Sequence, residues 1–419
     1  MDDARNPGPQ PAPEGASAPV PLPAIAGLRV VEMGVWVAAP AAAGLLADWG
    51  ADVIKVEEPG GDPMRNVFGA IGIEQEMPNP AYTLDNRGKR AVVLDLRTDE
   101  GRTRMEGLLT DADVFITNLK PDVLDKFGLD PDATAARHPH LVYCSVTGYG
   151  LEGPERDRPS YDLGAFWARS GLSYQLASRG DPLNARGAMG DHITALAALS
   201  GILAGVLQQR ATGEGCVVET SLLRTGAYVL GWDLGLQSSL GKVAQGEPRE
   251  VTQTPLMNCY RTADDRWLFL TCLEADRHLL NVLVALGRED LLDDERWTSG
   301  RTLRKNSRHV ITVLDAEFAG RTLAEWGERL DAAGVWWAPV QSPADVLADE
   351  QVRVNDGIVE VPHPDGSGTT ESINGPITFR GRSRRTTGAV PRLDEHPDAR
   401  FGSWDRARAT PAPRAPWVR

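Results

Sequence analysis

The sequence predicts a two-domain α/β protein whose larger domain is a doubly wound parallel sheet. Two observations carry that prediction. Short runs rich in Val, Ile and Leu recur at Leu28–Met33, Ala51–Glu57, Ala91–Leu96, Ala112–Leu119 and Leu141–Val146. All but Ala51–Glu57, which follows a helix directly, are set apart by longer polar or helical stretches. Near-continuous apolar runs mark strands buried on both faces, and their alternation with helices marks parallel crossovers.

Residues 1–26 are rich in Pro and Ala with few large apolar side chains, so a disordered tail is expected there. A Rossmann-like large domain is expected over 27–240, with Ala41–Trp49 as its first crossover helix, ended by Gly50. A long helix is expected at His192–Arg210, apolar nearly all round and therefore buried. Thr212-Gly213-Glu214-Gly215 stops it, and Cys216–Leu223 returns as a strand or a helix start. Residues 241–254 read as a polar linker, and 255–345 as a smaller α+β domain. That domain should hold a strand pair at Cys259–Tyr260 and Trp267–Cys272 and a helix at Thr322–Ala333. The segment 346–405 is expected to return to the large domain, with strands at Gly357–Val361 and Pro376–Phe379 and a turn at Pro364-Asp365-Gly366. Residues 406–419 read as a flexible tail.

The chain has 419 residues, enough to bury a core without disulfide or metal staples. Its 42 % hydrophobic and 24 % charged residues are ordinary for a soluble globular protein. The formal charge of −14 argues against a broad nucleic-acid surface, which needs clustered Lys and Arg. It leaves room for one anionic ligand held by a few local cations. Cys144, Cys216, Cys259 and Cys272 form neither a CxxC nor a His-spaced zinc pattern. Each lies in or near an apolar run, so buried reduced thiols in a reducing compartment are expected. No apolar run is expected to reach bilayer-spanning length. The start, Met1-Asp2-Asp3-Ala4-Arg5, has neither a basic nor an apolar leader region. A cytoplasmic protein with no membrane and no nucleic-acid partner is therefore expected.

A nicotinamide or flavin cofactor is the first candidate for such a sheet. The first strand-to-helix turn, Gly34-Val35-Trp36-Val37-Ala38-Ala39-Pro40, lacks the GxGxxG that lets a backbone approach a pyrophosphate. P-loop, HExxH and GxSxG motifs are absent too. The expectation is an α/β enzyme with no metal, no nicotinamide and no flavin.

A longer string of motifs goes further. Ala51-Asp52-Val53-Ile54-Lys55-Val56-Glu57 with Pro59-Gly60-Gly61-Asp62-Pro63-Met64-Arg65 resembles the signature of the class III, or formyl-CoA-transferase-like, CoA-transferases. So do Asn86-Arg87-Gly88-Lys89-Arg90 running into Leu94-Asp95-Leu96-Arg97-Thr98, Lys120-Pro121 with Phe127-Gly128-Leu129, Tyr161-Asp162, Gly190-Asp191 and Ile373-Asn374-Gly375-Pro376. The resemblance runs in order over roughly residues 27–385. It is far more specific for the superfamily than for a substrate.

The resemblance implies a transfer of coenzyme A between an acyl-CoA and a free carboxylic acid, through an aspartyl anhydride and an aspartyl-CoA thioester. The nucleophile falls on Asp191, with Gly190, Tyr161 and Asp162 in the substrate pocket. An Asp immediately before a helix is also a common N-cap. The positive end of the helix is expected to keep Asp191 ionised, and backbone amides near Gly190 are candidate oxyanion donors. For coenzyme A the resemblance implies Val37 and Ala38 at the first turn, Leu94 and Arg97 flanking the adenine, and Asn118, Leu119, Lys126 and Phe127 lining the ribose–phosphate and adenine region. Leu94 and Phe127 equally suit a core, and Arg97 and Lys126 a solvated surface. Glu58 departs from the pattern, standing where relatives often place a basic residue.

Racemases of the same superfamily place a His directly before the upstream Asp. Here that position is Tyr161, a poor base near neutral pH, which favours transfer. A partner-dependent or non-catalytic subunit is the other alternative. His192 leads into the helix and reads as structural. Formyl-CoA transferases carry a glycine-rich loop over the aspartate; the region 241–254 holds only Gly241 and Gly246, so a lid here would differ, and formate or oxalate are not assumed as substrates. Phe166-Trp167-Ala168-Arg169 with Tyr174 reads as helix packing, with a pocket for an aromatic acyl group as the alternative. By resemblance, two chains interlock as linked rings in an obligate homodimer.

Overall fold

The computed structural model describes residues 25–402 apart from 71, 73–78, 179 and 380–387. Six strands form one parallel sheet: β1 (Arg29–Met33), β2 (Asp52–Glu57), β3 (Arg90–Val93), β4 (Val114–Thr117), β5 (Val142–Thr147) and β6 (Cys216–Ser221). Their order is β3-β2-β1-β4-β5-β6, and every pairing is parallel. The five expected runs all become strands, and Cys216–Leu223 resolves into β6 running straight into the helix Leu222–Val229. Successive residues of a strand point to opposite faces. Val30, Val53, Val114, Ile116 and Val142 enter the core shared with the helices Ala38–Trp49 and Met189–Thr212. Val31, Ile54, Val92, Phe115 and Tyr143 enter a second core, with Met105, Leu108 and Leu109 of the helix Asp99–Asp111.

The helix Ala38–Trp49 ends on Gly50 at φ 109°, a conformation glycine adopts without a Cβ clash. Gly44 sits in its middle because a Cβ there would lie 2.5 Å from the Asp85 carbonyl oxygen. That close approach seats the helix Pro80–Asn86, and Asp85 with it, against Ala38–Trp49.

The helix Met189–Thr212 extends beyond its expected span at both ends. By length and composition it is apolar enough to cross a bilayer, which corrects the expectation that no run reaches that length. In the fold, Ala195, Ala198, Leu199, Ile202 and Val206 are buried as it packs on Ala38–Trp49, β5 and β6. It is not buried all round, since Leu207 is 69 % exposed.

The described residues fall into two compact units. One comprises residues up to Gly171, Ala185–Leu234 and the chain from Val354; the other comprises Leu172–Asn184 and Gly235–Arg353. The second unit holds an antiparallel sheet of β7 (Cys259–Arg261), β8 (Trp267–Leu270) and β9 (Trp337–Val340), with a core that includes Trp297, Phe318 and Trp326. The C-terminal part of the first unit begins with a hairpin of β10 (Ile358–Pro362) and β11 (Thr369–Ile373). The expected strand at Pro376–Phe379 is not one; Thr369–Ile373, whose Thr-Thr-Glu-Ser-Ile composition hides it, is the partner strand instead. The edge of β3 is covered by the same C-terminal part, where the His396 N–H donates to the Ala91 carbonyl (2.9 Å) and the Val93 N–H to Asp394 (2.9 Å). Ile25, inside the expected N-terminal tail, is buried. Residues 1–24 and the tail 406–419 lie outside the described residues.

Beneath the first crossover helix the sheet carries buried ions. Glu32 of β1 and Lys55 of β2 are register neighbours. The Lys55 ammonium meets Glu32 (2.7 Å), Asp62 (3.0 Å) and the Gly34 carbonyl (2.9 Å). The Lys89 ammonium meets the other Glu32 oxygen (2.6 Å), the Pro40 carbonyl (2.8 Å) and Asn86 (2.9 Å). Burial alone would raise the Glu32 pKa, yet the two ammonium groups hold it below the ordinary carboxylate range. Lys55→Met would leave Glu32 and Asp62 without their shared cation. It should cost about 3–5 kcal/mol of stability, read as a large fall in thermal midpoint. An unchanged midpoint would contradict a stabilising role for these ions.

Candidate active site

In an open parallel sheet, ligands bind outside the carboxyl ends of the strands where the strand order reverses. Here that point lies between β1 and β4. A cavity of about 280 Å³ opens there, lined by Met33 and Gly34 at the end of β1, Glu57 and Glu58 at the end of β2, Leu94 and Arg97 after β3, and Leu119 and Phe127 after β4. Of the residues expected to meet coenzyme A, it gathers Leu94, Arg97, Leu119 and Phe127. Arg97 is already held by Asp95 (2.8 Å). Glu58 lines the same cavity and adds negative charge.

The other expected residues stand differently. Asn118 uses its amide to hold the first turn: it accepts from the Val35 N–H (2.9 Å) and donates to the Val35 carbonyl (2.7 Å). Val37 and Ala38 are buried in the core at the start of the crossover helix. Lys126 is exposed beside Asp122 (3.4 Å) and does not line the cavity. Between Val35 and Val37, Trp36 adopts φ 63°, a strained conformation for a non-glycine residue. Its N–H donates to Asp62 (3.0 Å), and its ring meets Tyr161 edge-on at 5.7 Å between centroids.

Tyr161 leads into Asp162, and Asp162 reaches the long helix. One of its oxygens accepts the Gly190 N–H (3.3 Å). Glycine is required at 190, because a Cβ would lie 2.2 Å from both Asp162 and Phe166. Phe166 is buried, in keeping with helix packing. Asp191 sits in the first turn, while the N-cap position belongs to Ala188 at φ 73°. Asp191 is therefore not the N-cap. Among the described residues no hydrogen bond engages its carboxylate, so its lone pairs remain available. The Gly190 N–H, an expected oxyanion donor, is instead committed to Asp162.

The electrostatics differ from expectation. Burial pushes the Asp191 carboxyl up to about 7, Asp162 and Asp85 add to the rise, and His192 opposes it. Burial and two like charges thus act against ionisation at this helix terminus. Asp162 is raised as well, first by burial, against the Gly190 and Ala188 amides. His192 and Asp85 were not among the expected site residues. His192 Nε2 lies 3.1 Å from an Asp85 carboxylate oxygen. A signal for the His lay in its place beside Asp191; Asp85 abuts the Asn86–Arg90 motif without belonging to it.

The family model of CoA-transferase family III matches residues 25–397. The chain is 31 % identical over 374 residues to (R)-2-hydroxy-4-methylpentanoate CoA-transferase of Clostridioides difficile, covering 88 % of this chain and 92 % of that one. It is 33 % identical over 348 residues to cinnamoyl-CoA:phenyllactate CoA-transferase of Clostridium sporogenes, covering 81 % and 84 %. A crystal structure of a CAIB/BAIF family protein from Brucella suis matches with a TM-score of 0.79 at 28 % identity, covering 89 % of this chain and 97 % of that one.

The raised Asp191 carboxyl has a consequence for stability. Its folded pKa lies above the unfolded one, so the native state binds more protons in the window from 3.8, the ordinary Asp value, to about 7. Stability is therefore lost as pH rises through that window. Asp191→Asn removes the effect. At pH 8 it should stabilise the protein by about 1–3 kcal/mol after discounting for solvent screening, and the gain should vanish near pH 4. A loss of stability at pH 8 would instead mean that the charge supports the helix.

Proposed function

The chain belongs to CoA-transferase family III, and on that premise we propose that it moves coenzyme A from an acyl-CoA donor to a free carboxylic acid with Asp191 as nucleophile. The carrying observation is an Asp191 carboxylate free of hydrogen bonds among the described residues, in the first turn of the long helix and half ionised near pH 7. An ionised carboxylate attacks the thioester carbonyl, expelling the CoA thiolate and leaving an acyl-aspartyl anhydride. The thiolate then attacks the aspartyl carbonyl, releasing the donor acid and leaving an aspartyl-CoA thioester. The acceptor carboxylate repeats these steps in reverse order, which carries CoA to the acceptor and restores Asp191. Each step exchanges one acyl bond for another, so water must be kept out.

The cavity at the β1–β4 switch would take the adenine end of coenzyme A. Leu94, Leu119 and Phe127 supply apolar walls, and Arg97 a planar cation able to trade Asp95 for a ligand. Tyr161, where racemases carry a base, packs edge-on against Trp36, which supports transfer over proton exchange. The exposed rings of Tyr228 (87 %) and Trp232 (82 %) support the further reading that a second copy covers this surface in an interlocked homodimer.

Two experiments test these readings. A panel of acyl-CoAs and free acids, followed by mass spectrometry, should show CoA exchange for at least one pair. Asp191→Asn should abolish that exchange while CoA still binds, and hydroxylamine added after the acyl-CoA should modify a single peptide containing Asp191. Wild-type-like exchange by folded Asp191→Asn would sink the mechanism. Interlocked rings cannot part without unfolding, so dilution to nanomolar protein should give no folded monomer in mass photometry.

A further inference from the structure

Among the described residues, one titratable base, His192, stands at the acid-rich end of the long helix, and its placement is specific. Three carboxylates converge there from three elements: Asp191 in the helix, Asp162 before the turn 163–168, and Asp85 from Pro80–Asn86. His192 contacts Asp85 at 3.1 Å and neighbours Asp191. A carboxylate against one ring nitrogen favours the protonated form, in which both nitrogens donate. Behind Asp85 lie Lys89 and its partner Glu32, whose charges offset each other.

Resting on Asp191 as nucleophile, we propose that His192, paired with Asp85, is a positioning residue that favours the ionised form of the Asp191 carboxylate. Three carboxylates this close would otherwise share protons, and the one that took a proton would lose its nucleophilicity. Asp85 makes the arrangement possible. Partial burial alone would lower the His192 pKa, but the Asp85 carboxylate, with Asp191 beside it, raises it instead. Asp85 in turn is placed by the Gly44 contact with its backbone.

The test follows kcat/KM against pH for the full-length protein with the best donor–acceptor pair from the panel. In His192→Gln the acid limb should move up by about one unit, the typical effect of losing a nearby opposite charge. Below both limbs that is a loss of about tenfold, and the alkaline plateau should be retained. His192→Lys, which keeps a cation, should bring the limb back towards the wild-type position. A loss equal at every pH, or an unmoved limb, would overturn the proposal while leaving an inactive Asp191→Asn, and so the nucleophile, untouched. Active Asp191→Asn would remove both together. A second readout needs no substrate: the pH at which the thermal gain of Asp191→Asn levels off, measured with and without His192→Asn. The levelling point should rise in the His192→Asn background, and an identical point in both backgrounds would refute the coupling.

Discussion

The Glu32 carboxylate gives one oxygen to Lys55 and the other to Lys89, and much of the candidate site hangs on that buried clasp. Taking such ions out of water is expensive unless the geometry satisfies every one of them. Lys55 therefore also binds Asp62 and the Gly34 carbonyl, while Lys89 binds Pro40 and Asn86. Asp62 passes the constraint on by accepting the Trp36 and Met64 N–H groups, and Glu57 accepts the Asp62 N–H and pairs with Arg65. The first strand-to-helix turn is thus held from the β2 side by Asp62 and from the β4 side by Asn118. A strained Trp36 persists because both flanks over-determine it.

That turn joins two regions with different electrostatic demands. On one side the strand-end cavity sets Arg97 among Glu57, Glu58 and Asp95, so its lining is acidic and Arg97 is already engaged. On the other, Trp36 leads through Tyr161 and Asp162 to Gly190 and Asp191. There, burial first and neighbouring carboxylates second raise the Asp191 pKa, and His192 is the local counterweight. The dipole falls off within a turn and is worth about 1 kcal/mol, less than burial beside two like charges.

Much of the fold was legible along the chain. Val-, Ile- and Leu-rich runs between helices specified a parallel sheet, because strands covered on both faces admit few polar residues. Local signals did less well where burial is one-sided or polar. β11 reads as a polar stretch, and the long helix reads as buried all round although Leu207 stands exposed. The Gly-Asp pair could be found by its motif, yet its physical reason is tertiary: glycine is needed because Asp162 and Phe166 press on it.

By itself the sequence determined the strand runs, the motif order and the place of the Gly190-Asp191 pair, all properties of residues a few places apart. Only the tertiary structure decided which expected ligand contacts meet in one cavity, and that Asn118 and the Gly190 N–H are committed to holding the chain. It alone also decided what charge Asp191 carries. That charge depends on Asp85, which lies 107 residues from His192 in the chain and 3.1 Å from it in space. Coulombic interaction and desolvation act through distance in space, and no local pattern encodes a distance that the whole fold must close.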